Sequence, residues 1–185
     1  MTVDLAEITR AREEADCLVD ATQVEAALDR MAAEITAALG DTNPLVYAVM
    51  NGALILAGRI LPRLPFPLEV AYLHATRYGH ALQGTLLDWR VRPTQDLRGR
   101  TVLVLDDILD EGHTLHAILE HLKEEGAARV YSAVLTHKLH DRKAYPGMRA
   151  DFTGLDVADR FLFGCGMDYK GYWRNAPGIY AVKGL

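Results

Sequence analysis

The sequence predicts an α/β fold built on an open, mainly parallel, twisted sheet flanked by helices, and three stretches lead to that expectation. Thr101 to Leu105 form an apolar and β-branched run after the turn signal Leu97-Arg98-Gly99-Arg100, the pattern of a strand buried on both faces. The strand stops at an acid pair, Asp106-Asp107, and an acidic loop leads into a helical pattern of Leu115, Ile118, Leu119 and Leu122 that closes at Gly126. Pro44 to Met50 repeats the arrangement, with Asn51-Gly52-Ala53 breaking the strand before an apolar helix from Leu54 to about Leu64. Ala128 to Thr136 supplies a further buried strand. Alternating strand, loop and helix units of this kind form parallel sheets that bind ligands beyond the carboxyl ends of their strands.

Taken in order, residues 1–20 carry alternating charges and predict only a short outlying helix or strand. Thr22-Gln23-Val24-Glu25 reads as a capping box, after which Val24, Leu28, Met31, Ile35 and Leu39 recur at helical spacing before Gly40. Pro65 and Pro67 bracket a turn into a strand from Leu68 to Ala75, and Thr85 to Val91 returns alongside it. The polar, glycine-flanked loop between them is of the kind that either closes as a lid or idles. Past His137-Lys138 comes a basic loop with His140, Arg142, Lys143 and Pro146. Asp151 to Leu155, Arg160 to Gly166 and Gly178 to Val182 read as short strands near the C-terminus.

The 185 residues, half of them apolar, suffice for one sizeable core and predict a single domain. A net charge of -5 argues against sequence-independent binding to nucleic acid or an anionic membrane, so small molecules are the expected partners. Cys17 and Cys165 form no C-x-x-C spacing, and with no leader-like segment a reducing, cytoplasmic setting is expected.

Four of the six positions from Asp106 to Glu111 are carboxylates. Two such charges about 6 Å apart repel by roughly 3 kcal/mol at an effective dielectric of 20, so a cation should compensate them unless the turn is simply solvated. The following helix N-terminus offers free N–H groups to an anion. Gly52 reads equally as a turn glycine or as a place where backbone approaches a phosphate. There is no G-x-x-x-x-G-K-[ST], Gly164-x-Gly166 lacks a third glycine, and the pairs His113/His116 and His137/His140 read as surface residues rather than metal ligands.

The succession of apolar strand, Asp106-Asp107, two apolar residues and Asp110-x-Gly112-x-Thr114 resembles the phosphoribosyl pyrophosphate signature of the type I phosphoribosyltransferases. Met50-Asn51-Gly52, Arg77-Tyr78-Gly79, Lys138, Asp159 to Gly164, and Asp168-Tyr169 through Arg174 are similar, in the same order, to segments of the hypoxanthine-guanine phosphoribosyltransferases. The likeness covers roughly residues 24 to 182 and implies that family's sheet, spanning about residues 40–150, with a small hood formed by residues 1–20 and 151–185.

Its further implications are specific. Asp106 and Asp107 would face the ribose hydroxyls and a shared Mg²⁺, and Asp168 would bind a second metal. Asp110 would be the general base toward purine N7. Glu111, Gly112, His113 and Thr114 would cradle the 5′-phosphate, and Met50, Asn51, Gly52 and Arg174 the pyrophosphate, with a non-proline cis peptide within Met50-Asn51-Gly52. Lys138 would donate to a 6-oxo group, Phe161 would stack on the ring, and the Leu162 main chain would read the exocyclic edge. A lid from Arg77 to Gly84 would close Tyr78 over the reaction. Glu111 stands where the family usually has a small hydroxyl residue, so phosphate binding should weaken unless its carboxylate turns away.

The implied activity is Mg²⁺-dependent transfer of phosphoribose to hypoxanthine or guanine by a homodimer or homotetramer. The alternative is a regulatory protein of the same fold that senses the donor or a nucleotide.

Overall fold

The computed structural model describes residues 4–77 and 87–184, except for the side chains of Arg77 and Leu87. The chain runs α1 (Leu5–Glu13), β1 (Asp16–Val19), α2 (Ala21–Leu39), β2 (Leu45–Val49), α3 (Ala53–Ile60), β3 (Glu69–Arg77), β4 (Leu87–Val91), β5 (Thr101–Leu109), α4 (His113–Glu124), β6 (Arg129–Leu139), β7 (Phe152–Ala158), β8 (Leu162–Phe163) and β9 (Ile179–Ala181). Six strands form one sheet in the order β4-β3-β2-β5-β6-β7, parallel except for β4. A small antiparallel sheet, β1-β9-β8, joins the two ends of the chain into the hood.

All five residues of β2 and the first four after Thr101 in β5 are buried, as expected of central parallel strands covered on both faces. Right-handed crossovers place α3 and α4 on opposite sides of this sheet. Through α3 the chain passes from β2 to β3 on one side, and through α4 from β5 to β6 on the other, so a crevice opens between the carboxyl ends of β2 and β5.

Several expected boundaries are displaced. The acid pair does not end its strand: β5 continues through Asp106 and Asp107 to Leu109, because β6 runs alongside it as far as the Leu109–His137 pair and supplies backbone partners. The helix predicted from Thr22 begins earlier. Asp20 is its N-cap and accepts from the Gln23 N–H at 2.9 Å, while the Gln23 side chain accepts from the Asp20 N–H at 2.9 Å, so the capping box is Asp20/Gln23 rather than Thr22/Glu25. The helix predicted to reach Leu64 ends at Ile60 and tightens into a 3₁₀ turn over Leu61–Arg63, where Pro62 has no N–H to continue the α pattern.

The boundary between sheet and hood also moves. The segment from Asp151 was expected in the hood, yet β7 pairs in parallel with β6 and extends the large sheet to Ala158. Gly154 permits this, since a Cβ there would lie 2.8 Å from the Met31 sulfur of α2 and 2.6 Å from the Leu135 carbonyl. The first twenty residues form both an outlying helix and a strand. α1 is tied to the C-terminal part of the hood by Tyr169 Oη donating to Glu7 at 2.9 Å and by Trp173 Nε1 donating to the Ile8 carbonyl at 2.7 Å.

Candidate active site

A cleft of about 750 Å³ lies over the carboxyl ends of β2, β3, β5 and β6 and under the hood. Met50, Asn51 and Gly52 enter it from the end of β2, Asp106, Asp107 and Asp110 through Thr114 from β5 and its loop, and Lys138 from β6. Phe161, Leu162, Asp168 and Arg174 close it from the hood side. Every residue expected in the site therefore lines one cavity, apart from Tyr78, which with residues 79–84 of the expected lid lies outside the described residues. His74, Thr76 and Arg90 also line the cleft; His74 and Arg90 had no signal beyond membership of expected strands, and Thr76, expected at the start of the loop, belongs to β3.

The peptide Met50–Asn51 is cis. Beyond it, Gly52 lies against the Asp107 carboxylate, which a Cβ at that position would approach to 2.5 Å. On the other side, a Cβ on Gly166 would come within 3.0 Å of the Asp107 Cβ and within 2.2 Å of the Gly52 carbonyl. Asp107 is thus gripped between two glycines, one from each end of the site, and is 7% exposed.

The adjacent acid is less enclosed. Asp106 accepts from the Asp107 N–H at 3.0 Å. Burial and the neighbouring Asp107 charge push the Asp106 carboxyl well above its usual range. Burial raises Asp107 too, against the pull of the Asp106 hydrogen bond and the Arg174 charge. The nearest described cation is Arg174 Nη1, 3.9 Å from Asp107 Oδ2, and its guanidinium is shared with Asp168 at 2.5 Å and with the Gly166 carbonyl at 2.6 Å.

Two adjacent carboxyls, one buried and one partly exposed to the cleft, with little cationic compensation suit a hard divalent ion completed by ligand oxygens and water, so Asp106 and Asp107 fit a Mg²⁺ site. Asp168 offers oxygen as well, although Arg174 and the Gly171 N–H at 2.7 Å already engage it.

The phosphate loop turns at Gly112, whose φ is +83°, into the N-terminus of α4, leaving the first N–H groups of the helix facing the cleft. A side chain at Gly112 would strike the Met148 sulfur at 2.6 Å and Leu109 at 2.7 Å, so glycine is needed for both conformation and space. The Glu111 carbonyl accepts from the Ala144 N–H at 2.7 Å. Its half-exposed carboxylate stands 3.8 Å from the His113 imidazole.

Asp110 is held at both oxygens. Lys138 Nζ donates to Oδ2 at 2.9 Å and also lies 3.5 Å from Asp159, while His140 Nε2 is 2.7 Å from Oδ1. Burial pushes the Asp110 carboxyl up, but hydrogen bonds from Lys138 and His140, together with the Lys138 charge, outweigh it and hold the acid below its usual range. Asp110 is therefore ionised at neutral pH.

Asp110, His140 and Asp159 bring ligand-type atoms within 4.8 Å of one another. Lys138 sits among them, and Arg142 pairs with Asp159 at 2.9 Å, so protein cations already fill that position. His137 and His140 are not the surface residues expected: His137, 7% exposed, lies within β6 between β5 and β7, and the His140 side chain is 5% exposed because the loop after β6 folds back over Asp110. The missed residues are those of this loop, for which the only sequence signal was a basic run directly after Lys138.

The profile of the phosphoribosyl transferase domain matches residues 14–170. The chain belongs to that family. Among its relatives, the hypoxanthine-guanine phosphoribosyltransferase of Bacillus subtilis is 31% identical over 170 residues, covering 90% of this chain and 92% of its own. The hypoxanthine-guanine-xanthine enzyme of Tritrichomonas foetus is 31% identical over 170 residues and covers 90% of each chain. A solved hypoxanthine-guanine-xanthine phosphoribosyltransferase superposes with a TM-score of 0.81 at 28% identity, covering 91% of this chain and 96% of that one. The fold expected for a type I phosphoribosyltransferase, a mostly parallel sheet between helices, is the one observed. Among the described residues no helix is long and apolar enough to cross a membrane.

Proposed function

We propose that this phosphoribosyltransferase is a purine salvage enzyme that transfers phosphoribose from 5-phosphoribosyl 1-pyrophosphate to hypoxanthine or guanine, giving IMP or GMP and pyrophosphate. The observation behind this reading is the meeting, in one cleft, of an ionised Asp110, a Lys138 ammonium beside it, a helix N-terminus and the Arg174 guanidinium. The relatives described above are named as enzymes of this activity, which favours catalysis over donor sensing.

In this reading Gly112, His113 and Thr114, with the Glu111 backbone, bind the 5′-phosphate, where the α4 dipole favours an anion. Met50, Asn51, Gly52 and Arg174 take the pyrophosphate, and Phe161, 45% exposed and edge-on to Tyr169, offers its ring to the purine. Asp106 and Asp107 hold Mg²⁺, with Asp168 serving a second ion. Bound there, the metal supplies positive charge that neutralises pyrophosphate as it leaves. Purine N9 attacks C1′ as the bond from C1′ to pyrophosphate breaks, and the N7 proton passes to the Asp110 carboxylate. When Lys138 turns an N–H toward the 6-oxo oxygen, Asp110 loses part of its stabilisation and becomes a stronger base at the moment a proton must move. Tyr78, on the expected lid, would exclude water.

The direct test is nucleotide formation from phosphoribosyl pyrophosphate, Mg²⁺ and each purine in turn. Turnover with hypoxanthine or guanine supports the assignment, and donor binding without turnover on any base would replace it with the sensing role. Adenine presents an amino donor to the Lys138 donor, leaving both unpaired at a cost of about 1–3 kcal/mol each. Lys138→Ala is accordingly expected to reduce the kcat/KM preference for hypoxanthine over adenine by roughly 10- to 100-fold. An unchanged preference removes Lys138 from that role.

We also propose self-association as a dimer or tetramer, supported by the exposure of Val70 and Tyr72 on β3 and Leu54 on α3. Light scattering that gives a monomer mass would end that proposal.

A further inference from the structure

The basic loop after β6 is latched to the acidic loop after β5 at four points. His140 Nε2 lies 2.7 Å from Asp110 Oδ1. Lys143 Nζ donates to the carbonyls of Asp110 at 2.6 Å, Lys138 at 2.7 Å and Leu109 at 3.3 Å. The Ala144 N–H donates to the Glu111 carbonyl at 2.7 Å, and Met148 packs against Gly112. Lys143 is spent on backbone, leaving His140 as the side chain of this loop that touches the reacting carboxylate.

The tautomer of His140 follows from its second nitrogen. The Arg142 backbone N–H points at Nδ1 from 3.1 Å, and a backbone N–H can only donate, so Nδ1 carries the lone pair. The ring is then neutral with its proton on Nε2, and that N–H is directed at Asp110 Oδ1. The arrangement is a base oriented by a neighbour whose own orientation is set by main chain. Lys138 cannot serve this purpose throughout the cycle, because the proposed function requires it to turn toward the purine.

We propose that His140 is a positioning residue for Asp110: its Nε2–H keeps one carboxylate oxygen fixed while Lys138 is released to the 6-oxo group, so that the other oxygen stays aimed at N7. This inference rests on the assignment of Asp110 as the base. The charged and titratable groups around Asp110 are Lys138 from β6, His140, Arg142 and Lys143 from the loop, Asp159 beyond β7, and Glu111 with His113 on its own loop. Of these, Lys138 and His140 bond directly to its carboxylate oxygens.

The experiment compares single-turnover rates and their pH dependence in wild type, His140→Ala and His140→Gln, with Asp110→Asn as reference and melting temperatures to verify folding. Removing the donor should slow the single turnover roughly 10- to 100-fold with donor affinity unchanged, because the base is displaced while the phosphate loop is intact. It should also move the acid limb of the rate profile to higher pH, since the carboxylate loses a hydrogen bond to its ionised form. Glutamine, which places an N–H near the position of Nε2, should restore most of both. A folded His140→Ala with wild-type rate and an unmoved acid limb overturns the inference while leaving the reaction assigned, provided Asp110→Asn is impaired. An Asp110→Asn variant at wild-type rate overturns the base assignment and this inference with it. Nitrogen-15 spectra give a readout independent of turnover: a His140 ring protonated on Nδ1 at neutral pH also overturns it.

Discussion

Asp110→Asn is expected to lower the chemical rate by about 10²- to 10⁴-fold, the range contributed by a positioned general base, with little change in affinity for the sugar donor. The substitution is nearly isosteric, and the carboxamide oxygen can still accept from His140, so the loop should keep its shape. What disappears is the anionic oxygen able to receive the N7 proton. Donor affinity should persist because the backbone from Gly112 to Thr114 is fixed by the turn at Gly112 and by the Glu111 carbonyl bond to Ala144. Single-turnover measurement at saturating donor and hypoxanthine decides the matter. A rate within a few-fold of wild type in a folded variant would move the base to another residue.

Asp107→Asn should act on stability and function in opposite directions. The folded-state acidity of the Asp106 and Asp107 pair is weakened by burial, with both carboxyls raised. Groups raised in this way contribute stability below the unfolded carboxylate range, near pH 4, and lose it as pH climbs through the folded value. At neutral pH without metal, the pair therefore opposes folding. Replacing Asp107 by the neutral amide, in the slot between Gly52 and Gly166, should raise the melting temperature of the metal-free protein by roughly 2–4 °C, corresponding to about 1 kcal/mol for a chain of this size. The same variant should lose stabilisation by Mg²⁺ with donor and fall about 100-fold in turnover, because metal charge stabilisation is worth several kcal/mol. Thermal melts with and without Mg²⁺ and donor check both halves. An unchanged melting temperature with full Mg²⁺ response would show that the metal is held elsewhere.

Much of this site could be read in advance because its chemistry is local in sequence. The acid pair, Asp110, Gly112 and Thr114 follow one buried strand, and strand, loop and helix units place such loops at one edge of the sheet whatever the rest of the chain does. The hood was harder to read. Its strands are two to four residues long, too short for alternation to register, and its sheet joins Asp16 to Ala181, a pairing that no local pattern encodes. The same reason explains β7, whose place beside β6 depends on α2 settling over Gly154. The loop from His140 to Met148 registered only as a basic run, because such a run is ambiguous until the carbonyls that receive Lys143 and the carboxylate that receives His140 are brought beside it.

The contact among Gly52, Asp107 and Gly166 bears on how the enzyme could be re-engineered. With glycine on both sides and main chain touching main chain, no rotamer change can widen that end of the cleft, so selection for a bulkier leaving group has almost no raw material there. Leu162 opens a short strand at the margin of the hood and Phe161, just before it, is partly open, so variation in accepted bases should arise at that end.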